Sequence, residues 1–264
     1  MMRKGRQTLW LWIWVTLKHP AWPMLHSATP GMLGYSSRIA LEQQVDAAKA
    51  AQKESLDKIA ATSVDDILKD PKLLSFAQAG GAAAFKVNCV PCHGSGAQGG
   101  PGYPNLNDDD WLWGGTPDAI YTTLQHGIRY TADASTRDSQ MPAFGVDGIL
   151  NPEQIDQVSN YVVSLSGEPA DAAKAEAGKQ VYAENCASCH GEDGKGNREF
   201  GAPNLTDKLW LYGGTIDDVK AQVTKPRMGV MPAWAQRLDD ATVKELAVYV
   251  HSLGGGEAAV PATQ

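Results

Sequence analysis

The chain has 264 residues, room for about two domains. It is 43% hydrophobic and 20% charged, which makes it globular rather than disordered. A net charge of −7 argues against nucleic-acid binding, and no run reaches the roughly 18 apolar residues of a spanning helix, which excludes a polytopic membrane protein.

The N-terminal segment, residues 1–35, carries Arg3, Lys4 and Arg6 and then the apolar run Leu9-Trp10-Leu11-Trp12-Ile13-Trp14-Val15-Thr16-Leu17. That run is short for a bilayer of about 30 Å. A signal-peptide core, a shortened membrane anchor and an interfacial Trp-rich helix compete as readings. His26-Ser27-Ala28 is a poor cleavage site, and the four Trp between positions 10 and 22 favour a membrane interface. Residues 36–76 form a spacer, in which 39–61, rich in Ala, Gln, Lys and Glu, reads as a solvated helix.

The rest of the chain is a sequence duplication. A helical run over 79–88 leads into Cys89-Val-Pro-Cys92-His93-Gly94, and a second over 175–185 leads into Cys186-Ala-Ser-Cys189-His190-Gly191. Pro104-Asn105-Leu106 and Trp111-Leu112-Trp113-Gly114-Gly115-Thr116 return as Pro203-Asn204-Leu205 and Trp210-Leu211-Tyr212-Gly213-Gly214-Thr215, each followed by a short helix (117–125 and 216–223). Met141-Pro142-Ala143-Phe144 returns as Met231-Pro232-Ala233-Trp234. Each repeat closes on an amphipathic helix; in the second, Val243, Leu246, Ala247 and Val250 follow the helical period. The first repeat holds about nine extra residues between Gln125 and Met141, placed in the polar stretch 130–140. These units give domains at 77–167 and 178–255, a linker at 168–177 and a tail at 256–264. No strand is expected.

All four Cys of the chain lie in the two Cys-x-x-Cys-His strings. This string is the attachment signature of c-type haem. Residues i and i+3 of one helical turn face the same way, so Cys89 with Cys92, and Cys186 with Cys189, each suit the two vinyl groups of one haem, and the next residue, His93 or His190, faces the iron. A zinc site would need two Cys pairs brought together and no His after each. Met141 and Met231 are the expected sixth ligands, of the first and second haem respectively, and a thioether raises the haem potential. Met228 is discounted, because Arg129 takes its place in the first repeat. Trp111, Trp113, Trp210 and Tyr212 are candidate haem walls. Arg129 and Arg227 are candidates for haem propionates. His19, His26, His126 and His251 have no repeat partner. No catalytic triad, carboxylate pair or phosphate loop stands out, and Asp108-Asp109-Asp110 reads as a solvated turn.

With Pro20-Ala21-Trp22-Pro23, Leu33-Gly34-Tyr35-Ser36-Ser37-Arg38, Asp110-Trp111-Leu112-Trp113-Gly114-Gly115 and Leu209-Trp210-Leu211-Tyr212-Gly213-Gly214, the chain resembles the di-haem subunit (CcoP or FixP) of cbb3-type cytochrome c oxidases over nearly its whole length. The resemblance implies an all-α fold of two tandem class I cytochrome c domains, each wrapping a haem between its terminal helices, after an anchor and a helical spacer. It implies two covalent haems, anchoring in the bacterial inner membrane through the N-terminus, and haem domains in the periplasm. It implies an electron-transfer subunit with no catalysis of its own, passing electrons from a donor cytochrome c toward a mono-haem subunit and a catalytic haem–copper subunit that reduces oxygen and pumps protons. The departure is the N-terminal apolar run, shorter than the spanning helix usual in that family. A free periplasmic di-haem carrier is the rival reading. A dehydrogenase cytochrome subunit would usually carry a third haem motif, and a di-haem peroxidase would lack one of the two Met. Residues 81–167 hold nine acidic and three basic side chains, so the first haem domain is the expected docking face for a basic donor.

Overall fold

The computed structural model describes residues 35–168 and 170–258, so the membrane-anchor reading of residues 1–34 falls outside the described part. Among the described residues the protein is helical, with isolated β-bridges and no strand, and no helix is long and apolar enough to cross a membrane.

Among the described residues, eleven segments of helix or turn follow in order. The spacer is α1 (Ser37–Ala61), polar and largely exposed until Ile59. A short α2 (Val64–Lys69) begins at Ser63, whose side chain accepts from the Asp66 N–H, and buries Val64 and Ile67. Next come α3 (Pro71–Asn88), the turn α4 (Val90–His93), α5 (Pro117–His126) and α6 (Pro152–Leu165). The second repeat gives α7 (Ala172–Asn185), the turn α8 (Ala187–His190), α9 (Ile216–Thr224), a 3₁₀ turn at Trp234–Gln236 and α10 (Asp240–His251).

The repeats start their helices with the same chemistry. Asp70 accepts from the Lys72 and Leu73 N–H groups at the head of α3, and Asp171 does the same from Ala173 and Lys174 at the head of α7. Thr116 and Thr215 cap α5 and α9. Asn151 and Asp239 cap α6 and α10. Each cap satisfies amide donors that the first turn leaves without a helical partner, worth about 1 kcal/mol apiece.

The packing corrects one expectation. The terminal helices do not pair within each repeat; they pair crosswise, α3 with α10 and α6 with α7. The two crossings are copies of each other. Gly81 lies against the Glu245 carbonyl and Tyr249, and Gly178 against the Gln157 carbonyl and Tyr161; a Cβ at either glycine would overlap that carbonyl. Phe85 and Tyr249 meet at 5.4 Å, and Tyr161 and Tyr182 at 5.2 Å. The cause is the short connection at 166–171, which folds α7 straight back onto α6, as short helix–helix links do. α10 is then the remaining partner for α3.

Two hydrophobic cores result, cut differently from the repeats. One joins Ile59, Val64, Ile67, Ala77, Phe85 and Cys89 to Ile120 and Leu124, and then to Val243, Leu246, Ala247 and Val248 of α10. The other is continuous in sequence, from Phe144 through Val158, Val163 and Cys186 to Val223. The last turn of α1 is tied to α10 by Lys244, whose Nζ donates to the Ala60 carbonyl at 2.6 Å.

Glu245 sits in the α3–α10 crossing, 5% exposed, with Oε1 buried and without a hydrogen-bond partner. Burial, and secondarily the charge of Asp239, pushes its carboxyl from the ordinary 4.5 up to about 7. A raised carboxyl favours the folded state while protonated. This contribution is complete below about pH 4.5 and is lost as pH rises through about 7. Gln157, its counterpart in the other crossing, shows that an amide is tolerated there. Glu245→Gln is therefore expected to flatten the fall in stability between pH 5 and pH 8, leaving the variant more stable at pH 8 by on the order of 2 kcal/mol. Denaturant melts at the two pH values check this.

Candidate functional site

Each Cys motif closes a long helix with a single extra turn. Cys89 ends α3, its N–H donating to the Phe85 carbonyl, and α4 carries Cys92 and His93, whose amides donate to the Cys89 carbonyl at 3.1 and 2.9 Å. Cys186, Cys189 and His190 repeat the arrangement with the same distances. Gly94 and Gly191, at φ +80° and +81°, then turn the chain out of the helix in a region that L side chains avoid.

In each motif the first Cys is buried and the second exposed, and all four thiols are free. Burial pushes the Cys89 and Cys186 thiols up to about 11, with the neighbouring Cys of each pair adding to the shift. His93 Nδ1 lies 3.1 Å from the Pro104 carbonyl, and His190 Nδ1 lies 3.2 Å from that of Pro203. A carbonyl only accepts, so Nδ1 holds the proton and Nε2 is left bare as a ligand atom. Burial lowers both imidazole pKa values, the carbonyl bond opposing it, and so favours the neutral form that binds metal. The Pro-Asn-Leu segments are pinned in place for this: the Leu106 amide donates to the Ala97 carbonyl at 2.8 Å, and that of Leu205 to Gly194 at 2.7 Å. Two thiols, a bare imidazole nitrogen and an apolar surround suit a covalently attached haem at each motif.

The methionines follow the crossed helices. Met231 packs against the core that contains Cys89, and Met141 against the core that contains Cys186. Each thioether thus packs on the core that holds the other repeat's Cys pair. Met228 belongs to neither core.

The aromatics divide into two kinds. Trp111 and Trp210 pack on the first and second core, and the Trp111 indole donates to the Gly255 carbonyl at 2.7 Å. Trp113 instead lies against Gly201, and Tyr212 against Gly102, each reaching the loop of the other repeat. The Gly102 amide donates to the Leu211 carbonyl at 2.9 Å at this junction. Arg227 stacks over Tyr212 at 4.9 Å and Arg137 over Trp113 at 5.4 Å. Since Trp113 and Tyr212 are repeat partners, Arg137 is the counterpart of Arg227. Sequence alignment sets Arg129 opposite Met228 and the extra residues at 130–140; the stacking puts Arg137 opposite Arg227 instead, which leaves Arg129 within the extra segment. Arg137 was missed for this reason; aligning backwards from Met141 and Met231 finds it. Its Nε is buried without a partner, while Nη2 donates to the Ala119 carbonyl at 3.1 Å.

His126 faces Asp133 at 3.3 Å and His251 the Glu257 carbonyl at 2.7 Å, so both have other partners. Among the described residues no group of His, Cys, Asp and Glu could hold a bare metal ion. Burial raises the Asp110 carboxyl, and the charges of Asp207, Asp108 and Asp109 raise it further, so the acidic cluster spans both repeats.

Comparison with known proteins agrees with this division. A family model described as cytochrome c matches residues 78–166, and one described as cytochrome c oxidase, cbb3-type, subunit III matches residues 173–250. The cbb3-type cytochrome c oxidase subunit FixP of Sinorhizobium medicae is 58% identical over 90% of this chain and 82% of its own length. FixP of Rhizobium etli is 53% identical over 94% and 88%. The CcoP subunit of Cereibacter sphaeroides is 49% identical over 94% and 89%.

The thiol environments make a chemical prediction. In protein produced without haem attachment, iodoacetamide at pH 8 is expected to label Cys92 and Cys189 well before Cys89 and Cys186, whose thiols hold their protons to about pH 11. Mass spectrometry of timed digests reads the order, and equal rates at all four would contradict it.

Proposed function

Because this chain belongs to the FixP/CcoP family of cbb3-type cytochrome c oxidase subunits, with two cytochrome c domains that make it an electron-transfer subunit, we propose that it holds one covalent haem c at Cys89/Cys92 and a second at Cys186/Cys189. Each bound haem supplies a one-electron ferric–ferrous couple. His93 and His190 each give one axial nitrogen, kept bare and oriented by the Pro104 and Pro203 carbonyls. Met231 gives the sixth ligand at the first motif and Met141 at the second. The observation that carries this reading is the duplicated motif with each thioether on the apolar core of one Cys pair.

Electrons enter from a donor cytochrome c and leave toward the mono-haem and haem–copper subunits of the oxidase. The cluster of Asp108, Asp109, Asp110 and Asp207 steers a basic donor to the neighbourhood of the first motif. The basic residues Arg3, Lys4 and Arg6 hold the N-terminus on the cytoplasmic side of the inner membrane, with the haem domains in the periplasm.

Haem bound at both motifs stays with the protein through acid–acetone extraction, and the pyridine haemochrome is expected to give about two haems per chain. The crossed ligation is read in single-haem variants. With Cys89 and Cys92 both replaced by Ser, Met141→Leu is expected to abolish the thioether-to-ferric-iron absorption of the remaining haem and lower its potential, while Met231→Leu leaves both in place. The reverse result would restore ligation within each repeat.

Replacing Asp108, Asp109, Asp110 and Asp207 by Asn is expected to slow reduction by a basic donor cytochrome severalfold at low salt and to weaken its dependence on ionic strength. Stopped-flow reduction across a salt series checks this; an unchanged salt dependence would exclude steering by these carboxylates.

A further inference from the structure

The two methionine loops are far apart in sequence and belong to different cores, yet they meet at one residue. The first repeat holds an extra segment between α5 and Arg137 that the second repeat lacks. Ile128 in that segment forms an antiparallel bridge with Met231: the Ile128 amide donates to the Met231 carbonyl at 2.9 Å, and the Met231 amide donates back at 3.0 Å. The next residue is Arg129. Its backbone amide donates to the Arg137 carbonyl at 2.9 Å, in the stretch that runs on to Met141. Its guanidinium reaches both ways. Nε donates to the Gly229 carbonyl at 2.7 Å, and Nη1 donates to the Ser139 carbonyl at 3.2 Å. Gly229 lies two residues before Met231, and Ser139 two residues before Met141.

We propose that Arg129 is a positioning residue for both axial thioethers, one guanidinium fixing the two methionine loops together. The proposal rests on the axial assignment of Met141 and Met231 above. Neither loop has helix or strand to stiffen it at these residues, so carbonyl anchors and the Ile128 bridge do that work. Guanidinium is suited to the task because its donors are spread over a rigid plane and can serve two acceptors at once; an ammonium is a single point. The backbone at Arg129 has φ +51°, a left-handed conformation uncommon for a side-chain-bearing residue. Such a conformation persists where the surroundings over-determine it, and the three hydrogen bonds of Arg129 supply that. Arg227 has no such reach: its side chain donates to the Tyr212 carbonyl within its own repeat.

The test uses the full-length protein with both haems attached. Each thioether bound to a ferrous haem gives its own upfield-shifted methyl proton signal, so the two sites are read separately, and potentiometric titration gives the two potentials. Arg129→Gly removes the guanidinium while easing the backbone at φ +51°. It is expected to broaden or remove both methyl signals and lower both potentials, with haem content and helicity unchanged. Arg129→Lys is expected to preserve the signal of at most one haem, and it carries the test if the glycine variant does not accumulate. Two intact signals in either variant, or an effect of Arg129→Gly at one haem alone, would overturn the proposal. A wild-type protein with no upfield methyl signal would overturn the axial assignment itself, which distinguishes that failure from this one.

Discussion

A connection of a few residues between α6 and α7 governs how the rest of the molecule is put together. Ser166 closes α6 with its hydroxyl on the Val163 carbonyl, and Gly167 turns the chain at φ +76°. The Asn160 side chain then accepts from the Asp171 amide at 3.0 Å, and Asp171 caps α7. Lys174 reaches back to Asp156 at 2.8 Å. A link this short leaves the second helix little choice but to lie antiparallel on the first. α6 packs on α7 and α9 rather than on α3, and the final helix travels back to the start of the duplication. The crossed methionines are a further result of the same constraint, because each lies in the loop leading to the helix that has been exchanged.

The exchange makes repeat-related residues contact each other reciprocally. Gly102 meets Tyr212 while Gly201 meets Trp113, and an arginine covers the aromatic ring in both places. Such reciprocity is the pattern of a two-fold interface between identical subunits, here within one chain. Glu257 adds a further tie: it accepts from the Gly115 amide at 2.8 Å and pairs with Arg198, joining the Trp111 loop of one repeat to the loop after the Cys motif of the other.

Much of the local structure was legible in the sequence, because helix period, caps and the Cys motifs are local signals. The helices after Gly-Gly-Thr and the last helix are found within a few residues of where period and caps put them. The helix leading into Cys89 begins at Pro71, earlier than the Ala-rich run suggests, because Asp70-Pro71 is a start signal that precedes the apolar pattern. Both Cys-x-x-Cys-His strings close a long helix, as the local pattern predicts. What local signals cannot give is which surface meets which. Gly81 and Gly178 announce a close helix crossing, but both candidate partners, Tyr161 and Tyr249, occur in nearly identical sequence, so the duplication itself hides the pairing. The extra segment in the first repeat hid Arg137 in a similar way, because an alignment carried forward from Gly115 and Gly214 sets Arg129 opposite Met228 and passes over Arg137.

The nesting of the two cores also has a temporal side. All that the second core needs lies between Met141 and Val223. The first core needs Ile59 to Leu124 and then waits for Val243 to Val250, at the far end of the chain. A polypeptide that emerges from its N-terminus first therefore completes the inner core while the outer one still lacks a wall. The motif that is made first is enclosed last, and the newborn chain holds Cys89 and Cys92 open through most of its own synthesis.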